Sequence, residues 1–177
     1  MQILRKQDRL RLFELHSTEC KLLQRHFQGA APQVIAQSGD GFTGLLTLLP
    51  PPSRRGLVLI YPSYEDKTDY QRVIVALREG LKRFATGTYA VWYPLVQRSE
   101  SHLFSDRLKH VAAGDWLHVS LTVKAASMDG YGLHGSSMFI LNPPWILPKI
   151  LAGVMPFLVQ TLGQDAHADY DLKFSIA

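Results

Sequence analysis

Three short stretches hold residues whose types and placement suit chemistry at the mouth of a cleft. Glu14 closes the run Leu10-Arg11-Leu12-Phe13. An acid at the end of a strand is a common means of holding ribose hydroxyls. Asp40-Gly41 follows Val34-Ile35-Ala36, where the carboxylate can accept a hydrogen bond from an adenine amino group. The plainer role of both acids is a solvated turn or a helix N-cap, for which Asp is a preferred residue. Tyr61-Pro62-Ser63-Tyr64 follows a third apolar run, Gly56 to Ile60. Its proline fixes the chain, and an aromatic there can stack on a flat base, worth roughly 1–3 kcal/mol per base. From spacing alone, a strand exit with a packing tyrosine is the better account.

The elements that must position these residues alternate between strand and helix. Leu10 to Glu14 reads as a strand, and a helix capped by Ser17 follows, with Cys20, Leu22, Leu23 and Phe27 on its stripe. A second strand at Val34 leads to a short helix over 41–49, stopped by Pro50-Pro51-Pro52. Gly56 to Ile60 is apolar throughout, which suits a strand buried on both faces. Asp69 is placed to cap a long helix carrying Val73, Ile74, Leu77, Leu81 and Phe84, and Tyr89 to Tyr93 forms the next buried strand. A helix near 103–113, strands at 116–123 and 137–141, a helix over 146–162 and an edge strand near Leu172 complete the chain. This alternation predicts one α/β domain, a mainly parallel sheet covered by helices on both faces. Ligands of such sheets sit at the carboxyl ends of the strands, where Glu14, Asp40 and Tyr61 fall.

Composition narrows the function classes. The 177 residues are 46% hydrophobic and 19% charged, as in ordinary globular proteins. The longest apolar stretch, 146–162, is broken by Pro148, Lys149, Gly153 and Pro156, so no membrane span is predicted. Cys20 is the single cysteine, which leaves no disulfide framework and suits a reducing cytoplasm. The seven histidines are scattered without metal-ligand spacing. Neither a P-loop nor a Gly-x-Ser-x-Gly elbow is present. The net charge of +4 tilts mildly toward an anionic partner, and Arg54-Arg55, Lys82-Arg83 and Arg5, Lys6, Arg9 and Arg11 are the residues that would meet phosphates. A solvated basic surface explains them as well.

The longer runs carry more information than any single motif. Pro52 to Ile60, Tyr61 to Glu65, Lys67 to Tyr70, Gly80 to Ala90, Trp92 to Pro94 and Asn142 to Trp145 together resemble the bacterial family of 23S (large-subunit) ribosomal RNA adenine-N6 methyltransferases. Phe13 to His16 and Asp40 to Phe42 extend the likeness to nearly the whole chain. The resemblance implies a Rossmann-like fold, S-adenosyl-L-methionine as cofactor and ribosomal RNA as partner. By the same resemblance Glu14 holds the cofactor ribose, and Asp40 and Gly41 lie beside its adenine. Tyr61-Pro62-Ser63-Tyr64 falls on the family's Asp-Pro-Pro-Tyr catalytic motif. There the acid and the first proline's carbonyl orient the target amino group, and the tyrosine stacks on the extruded base. Lys67, beside the motif, is the better candidate for a contact to the substrate backbone, ahead of Arg54 and Arg55.

Two departures from the family pattern set further expectations. The acid of the motif is Tyr61 and its second proline is Ser63. A phenol is neutral near pH 7 and offers no negative charge to the amino group. Removing one such group typically costs about 10²–10³ in rate. The family's N-terminal part, with its first strand and glycine-containing cofactor loop, has no counterpart before Leu10. The chain therefore reads as the C-terminal portion of the catalytic domain, 1–177, weak or inactive in methyl transfer. The missing central strand would lie between the strands at Leu10 and Gly56. The alternative reading is a non-catalytic nucleic-acid-binding remnant of the same family.

Overall fold

A computed structural model describes residues 3–112 and 114–176. It divides into two compact units, Met1–Leu49 and Pro50–Ala177.

The first unit is a two-stranded parallel sheet with two helices. β1 (Leu10–Glu14) pairs in parallel with β2 (Val34–Ser38), and Glu14 stands opposite Ser38. Between them run α1 (Ser17–His26) and a short 3-10 segment (Gln28–Ala30). The predicted Ser17 cap is corrected: His16 holds the cap position, with no side-chain bond to the helix. α2 (Gly41–Leu48) follows β2, and Pro50 and Pro51 come just beyond its end. Gly44 faces the ring of Phe13 so closely that a Cβ there would overlap it.

The second unit is a five-stranded sheet in the order β3-β4-β6-β5-β7. Its strands are β3 (Leu57–Ile60), β4 (Thr88–Leu95), β5 (Trp116–Thr122), β6 (Gly135–Leu141) and β7 (Asp169–Ser175). Only β3 and β4 pair in parallel; β4·β6, β5·β6 and β5·β7 are antiparallel. The sheet is thus mixed rather than mainly parallel. No helix separates β5 from β6, so their connection is the return of antiparallel neighbours.

α3 (Thr68–Arg83) and α4 (Ser99–Val111) carry Val73, Leu77, Phe104 and Leu108, all fully buried. They share their face of the sheet with Tyr89, Val91 and Tyr93, as the Tyr93–Phe104 ring contact at 5.1 Å shows. Asp69 lies inside α3, and it is Asp66 that accepts the Thr68 amide at 2.8 Å, which corrects the predicted cap. On the opposite face α5 (Leu147–Leu162) packs Met155, Leu151 and Leu158 against Leu117, Val119 and Leu121 of β5.

β1 and β3, the strands predicted to flank a central strand, are each the last strand of a separate sheet. β3 is also covered on one face only: Ile60 is buried, whereas Leu57 and Leu59 are 69% and 62% exposed. The prediction of burial on both faces is therefore corrected.

Candidate functional site

In the first unit both candidate acids stand at carboxyl ends of adjacent parallel strands, as the sequence predicts. Glu14 Oε1 accepts the His16 backbone N–H at 2.7 Å, which turns the chain from β1 into α1. Among the described residues no hydrogen bond occupies its Oε2. Asp40 is the N-cap of α2: Oδ1 accepts the Phe42 N–H at 3.0 Å and Oδ2 the Thr43 hydroxyl at 3.3 Å. The structural role is thus realised at Asp40. Gly41 is exposed in the first turn of α2.

In the second unit the chain leaves β3 through Tyr61, which is 63% exposed. Its ring lies on that of Trp92, centroid to centroid 4.2 Å and tilted by 49°. The parallel register explains the pair, since Ile60 stands beside Val91 and the next residues meet on the same face. Pro62 is half-buried, and the Ser63 hydroxyl accepts the Glu65 amide at 3.4 Å.

Tyr64 turns the other way. Its backbone is left-handed (φ 55°), and its ring is buried against Tyr70 at 4.7 Å and Phe104 at 6.1 Å. Its hydroxyl donates to the Trp92 carbonyl at 2.8 Å. Burial is the largest influence raising the Tyr64 pKa, with smaller effects from Tyr70, Tyr93 and Asp69. In this conformation Tyr64 offers no ring face to a base. The aromatic surface at this strand end belongs instead to Tyr61 and Trp92.

Two bonds brace the loop after Tyr64. Arg98 donates to the Tyr64 carbonyl at 3.4 Å, and Lys67 pairs with Glu100 at 3.2 Å. Glu100 is held below the usual carboxylate range, first by its own backbone N–H and next by Lys67. Trp92, Arg98 and Glu100 were not among the sequence candidates. For Trp92 a signal existed, its place one step beyond the β3–β4 pairing. Arg98 and Glu100 had none.

Arg54 and Arg55 are exposed and precede β3, so the four residues of the strand separate them from Tyr61. At about 3.3 Å per residue they lie more than ~13 Å from the motif, at the opposite end of the strand. Among the described residues no three His, Cys, Asp or Glu side chains gather in a way that would hold a metal ion. No helix among them is long and apolar enough to cross a membrane.

Comparison with known proteins adds a family. The family model described as ribosomal RNA large subunit methyltransferase D, RlmJ, matches residues 1–175. The chain is 41% identical over 173 residues to ribosomal RNA large subunit methyltransferase J of Haemophilus influenzae, covering 98% of this chain and 61% of that one. It is 44% identical over 156 residues to the protein of the same name from Escherichia coli, covering 88% of this chain and 55% of that one. A crystal structure of a Legionella pneumophila protein superimposes with a TM-score of 0.84 at 33% identity, over 96% of this chain and 62% of that one. The chain thus spans a little over half the length of the curated relatives it matches.

Proposed function

We propose, for a chain that belongs to the ribosomal RNA large subunit methyltransferase J family, part of an adenine-N6 methyltransferase in which methyl transfer has been lost. The observation that carries this reading is Tyr61. Where the family places an acid, this chain places an exposed phenol resting on Trp92. No carboxylate of the motif is left to accept the N–H of the target amino group or to balance the positive charge it gains. The Pro62 carbonyl remains as a hydrogen-bond acceptor. Loss of one positioned polar group costs about 10²–10³ in rate, and the bulk of Tyr61 occupies the space beside Trp92 as well.

The family cofactor, S-adenosyl-L-methionine, supplies the methyl group when bound. The donor set of this chain fits its nucleoside end. Glu14, with Oε2 unengaged among the described residues, would hold ribose hydroxyls, and Asp40-Gly41 would lie beside the adenine. Lys67 would reach the substrate backbone, with Glu100 competing for its charge. A cytoplasmic location goes with this reading, where ribosomal RNA is the partner.

Transfer of labelled methyl groups from the cofactor to unmodified ribosomal RNA tests it. Counts at background are expected for the 177-residue chain. Turnover by the unaltered chain would overturn the reading.

The exposed Tyr61–Trp92 pair favours a second reading, a nucleic-acid-binding remnant that takes unpaired bases without cofactor. Binding to single-stranded RNA should then weaken with salt and drop on Tyr61→Ala. No binding at low salt would exclude it.

A further inference from the structure

The two ends of the sheet in the second unit differ in charge. The end at which β3 and β4 finish carries the motif and gathers Glu65, Asp66, Asp69, Glu100, Asp129 and Asp165. Three cations there are already engaged: Lys67 with Glu100, Arg72 with Asp69, and Arg98 with the Tyr64 carbonyl. The opposite end is formed by the starts of β3 and β4, the close of β6 and the last turns of α3. Arg54, Arg55, Arg78, Lys82, Arg83 and Lys149 lie there, all exposed. Of the acids nearby, Glu79 holds Lys82 at 2.7 Å and Arg83 at 3.1 Å, and Asp115 stands just ahead of β5. Among the described residues the side chains of Arg54, Arg55, Arg78 and Lys149 make no hydrogen bond or ion pair.

Hydrogen bonds clasp the segments that carry these cations into one platform. Thr88 N donates to the Gly56 carbonyl at 3.2 Å, and the Thr88 hydroxyl to the Asn142 carbonyl at 2.9 Å. Asn142 Nδ2 donates in turn to the Ala85 and Gly87 carbonyls at 2.8 and 2.7 Å. The like charges therefore stay together despite their repulsion. Arg54 sits in a tight turn, its N–H on the Pro51 carbonyl at 2.9 Å, with a left-handed backbone (φ 52°). Glycine or asparagine takes that conformation far more readily than arginine, which points to a role for the side chain. Arg78 and Lys82, four residues apart on one face of α3, line a cavity of 510 Å³ with Leu81, Val111, Leu141 and Asn142. Cations on low-dielectric walls focus positive potential outward.

We infer that this end of the sheet is a contact surface for the backbone phosphates of an RNA strand, remote from the motif. The cations do not converge on one point, as they do around a small anion. They run from the turn before β3 to the last turns of α3, which meet where Gly56 approaches the Phe84 ring within 3.4 Å of a Cβ position. Spaced charges of this kind match the repeating charge of a nucleic-acid strand, whose counterions they release. Phosphate contacts position a strand without reading its sequence. The inference takes its partner from the reading above and deepens it. It does not depend on whether methyl transfer is lost, since the surface lies more than ~13 Å from Tyr61.

The test follows the fluorescence anisotropy of a labelled single-stranded RNA with the 177-residue chain, without cofactor, between about 50 and 200 mM salt. Affinity should fall with salt and differ little between RNA sequences. Arg54→Gln with Arg55→Gln, and separately Arg78→Gln with Lys82→Gln, should each weaken binding about tenfold or more and reduce the salt slope by about 1.4. Arg54→Lys with Arg55→Lys should retain most of the binding. Lys173→Gln, which removes a cation paired with Asp171, should change it less than about twofold. In the unaltered chain, RNA should shield Lys82 and Lys149 from acetylation, which keeps the test decisive if a variant fails to fold. Shielding confined to Lys67 and Lys124, binding unmoved by both double variants, or binding to anionic lipid vesicles without binding to RNA would overturn the proposal. Absence of RNA binding at low salt would overturn it together with the nucleic-acid-binding remnant. The loss of methyl transfer stands or falls separately, on the labelled-methyl assay.

Discussion

The strand ends of the two units are built from different material. In the first unit they are acids fixed by backbone amides a few residues away: Glu14 by His16, Asp40 by Phe42. In the second they are aromatic rings fixed by partners far along the chain: Tyr61 on Trp92, Tyr64 among Tyr70 and Phe104. Acids held locally keep their chemistry whatever happens elsewhere. The aromatic end is held by packing, a phenol resting on an indole. On the proposed reading, the residues assigned to a nucleoside lie in one unit and the altered motif lies in the other.

Truncating the ring beneath the aromatic end should have the largest effect. Phe104 is fully buried between Tyr64, Tyr70 and Tyr93, and Phe104→Ala should cost about 3–5 kcal/mol. Chemical unfolding followed by tryptophan emission measures it, since all three tryptophans lie in the second unit. A loss under ~1 kcal/mol would mean the rings are not a cooperative core. At the acidic end, Asp40→Ala should remove the cap of α2 for about 0.5–2 kcal/mol. Faster amide exchange over 41–48 reads that loss, and Asp40→Asn should restore most of it.

Tyr64→Phe deletes a single hydroxyl and leaves the Trp92 carbonyl without its donor, for about 1 kcal/mol. The same variant sharpens a pH dependence. Burial raises the pKa of Tyr64 and holds Tyr89 and Tyr93 at about 12. Unfolded tyrosines release their protons near pH 10 while the folded ones keep theirs, so stability falls as pH rises from about 10 to 12. Tyr64→Phe should make that fall shallower; an unchanged slope would remove Tyr64 from the account. Tyr61→Ala should have the smallest effect on stability, within about 0.5 kcal/mol, because its ring is mostly in solvent. A loss as large as that of Phe104→Ala would erase the contrast between the two tyrosines.

What could be seen from the sequence follows the same division between local and distant. β1, β2, α2 and the Asp40 cap depend on residues within a few positions, and their bounds match to within two or three residues. Where two local options competed, the choice was less secure. His16 took the place expected of Ser17, and Asp66 engaged the amide expected to belong to Asp69. The burial of Tyr64 depends on Trp92 and Phe104, 28 and 40 residues on, and no periodicity encodes such a meeting. The antiparallel order of β5, β6 and β7 was hidden for a related reason. Apolar strands buried in a sheet read alike in either direction, and only the pairing distinguishes them. Family likeness suggests the roles proposed for Glu14, Asp40 and Tyr61, which residue types alone left open.

The mixed order of the sheet also has a consequence in time. β4 finds β3 soon after both are made, but its other neighbour, β6, lies roughly forty residues beyond Leu95. At about 5–20 residues per second of synthesis, one side of β4 waits for seconds before it is paired. Asn142 then closes the register, donating to the Ala85 and Gly87 carbonyls just ahead of β4. A nascent chain paused after Val123 would hold that side bare. The stretch Tyr89 to Tyr93 is therefore where a growing polypeptide most needs shelter at the ribosome exit.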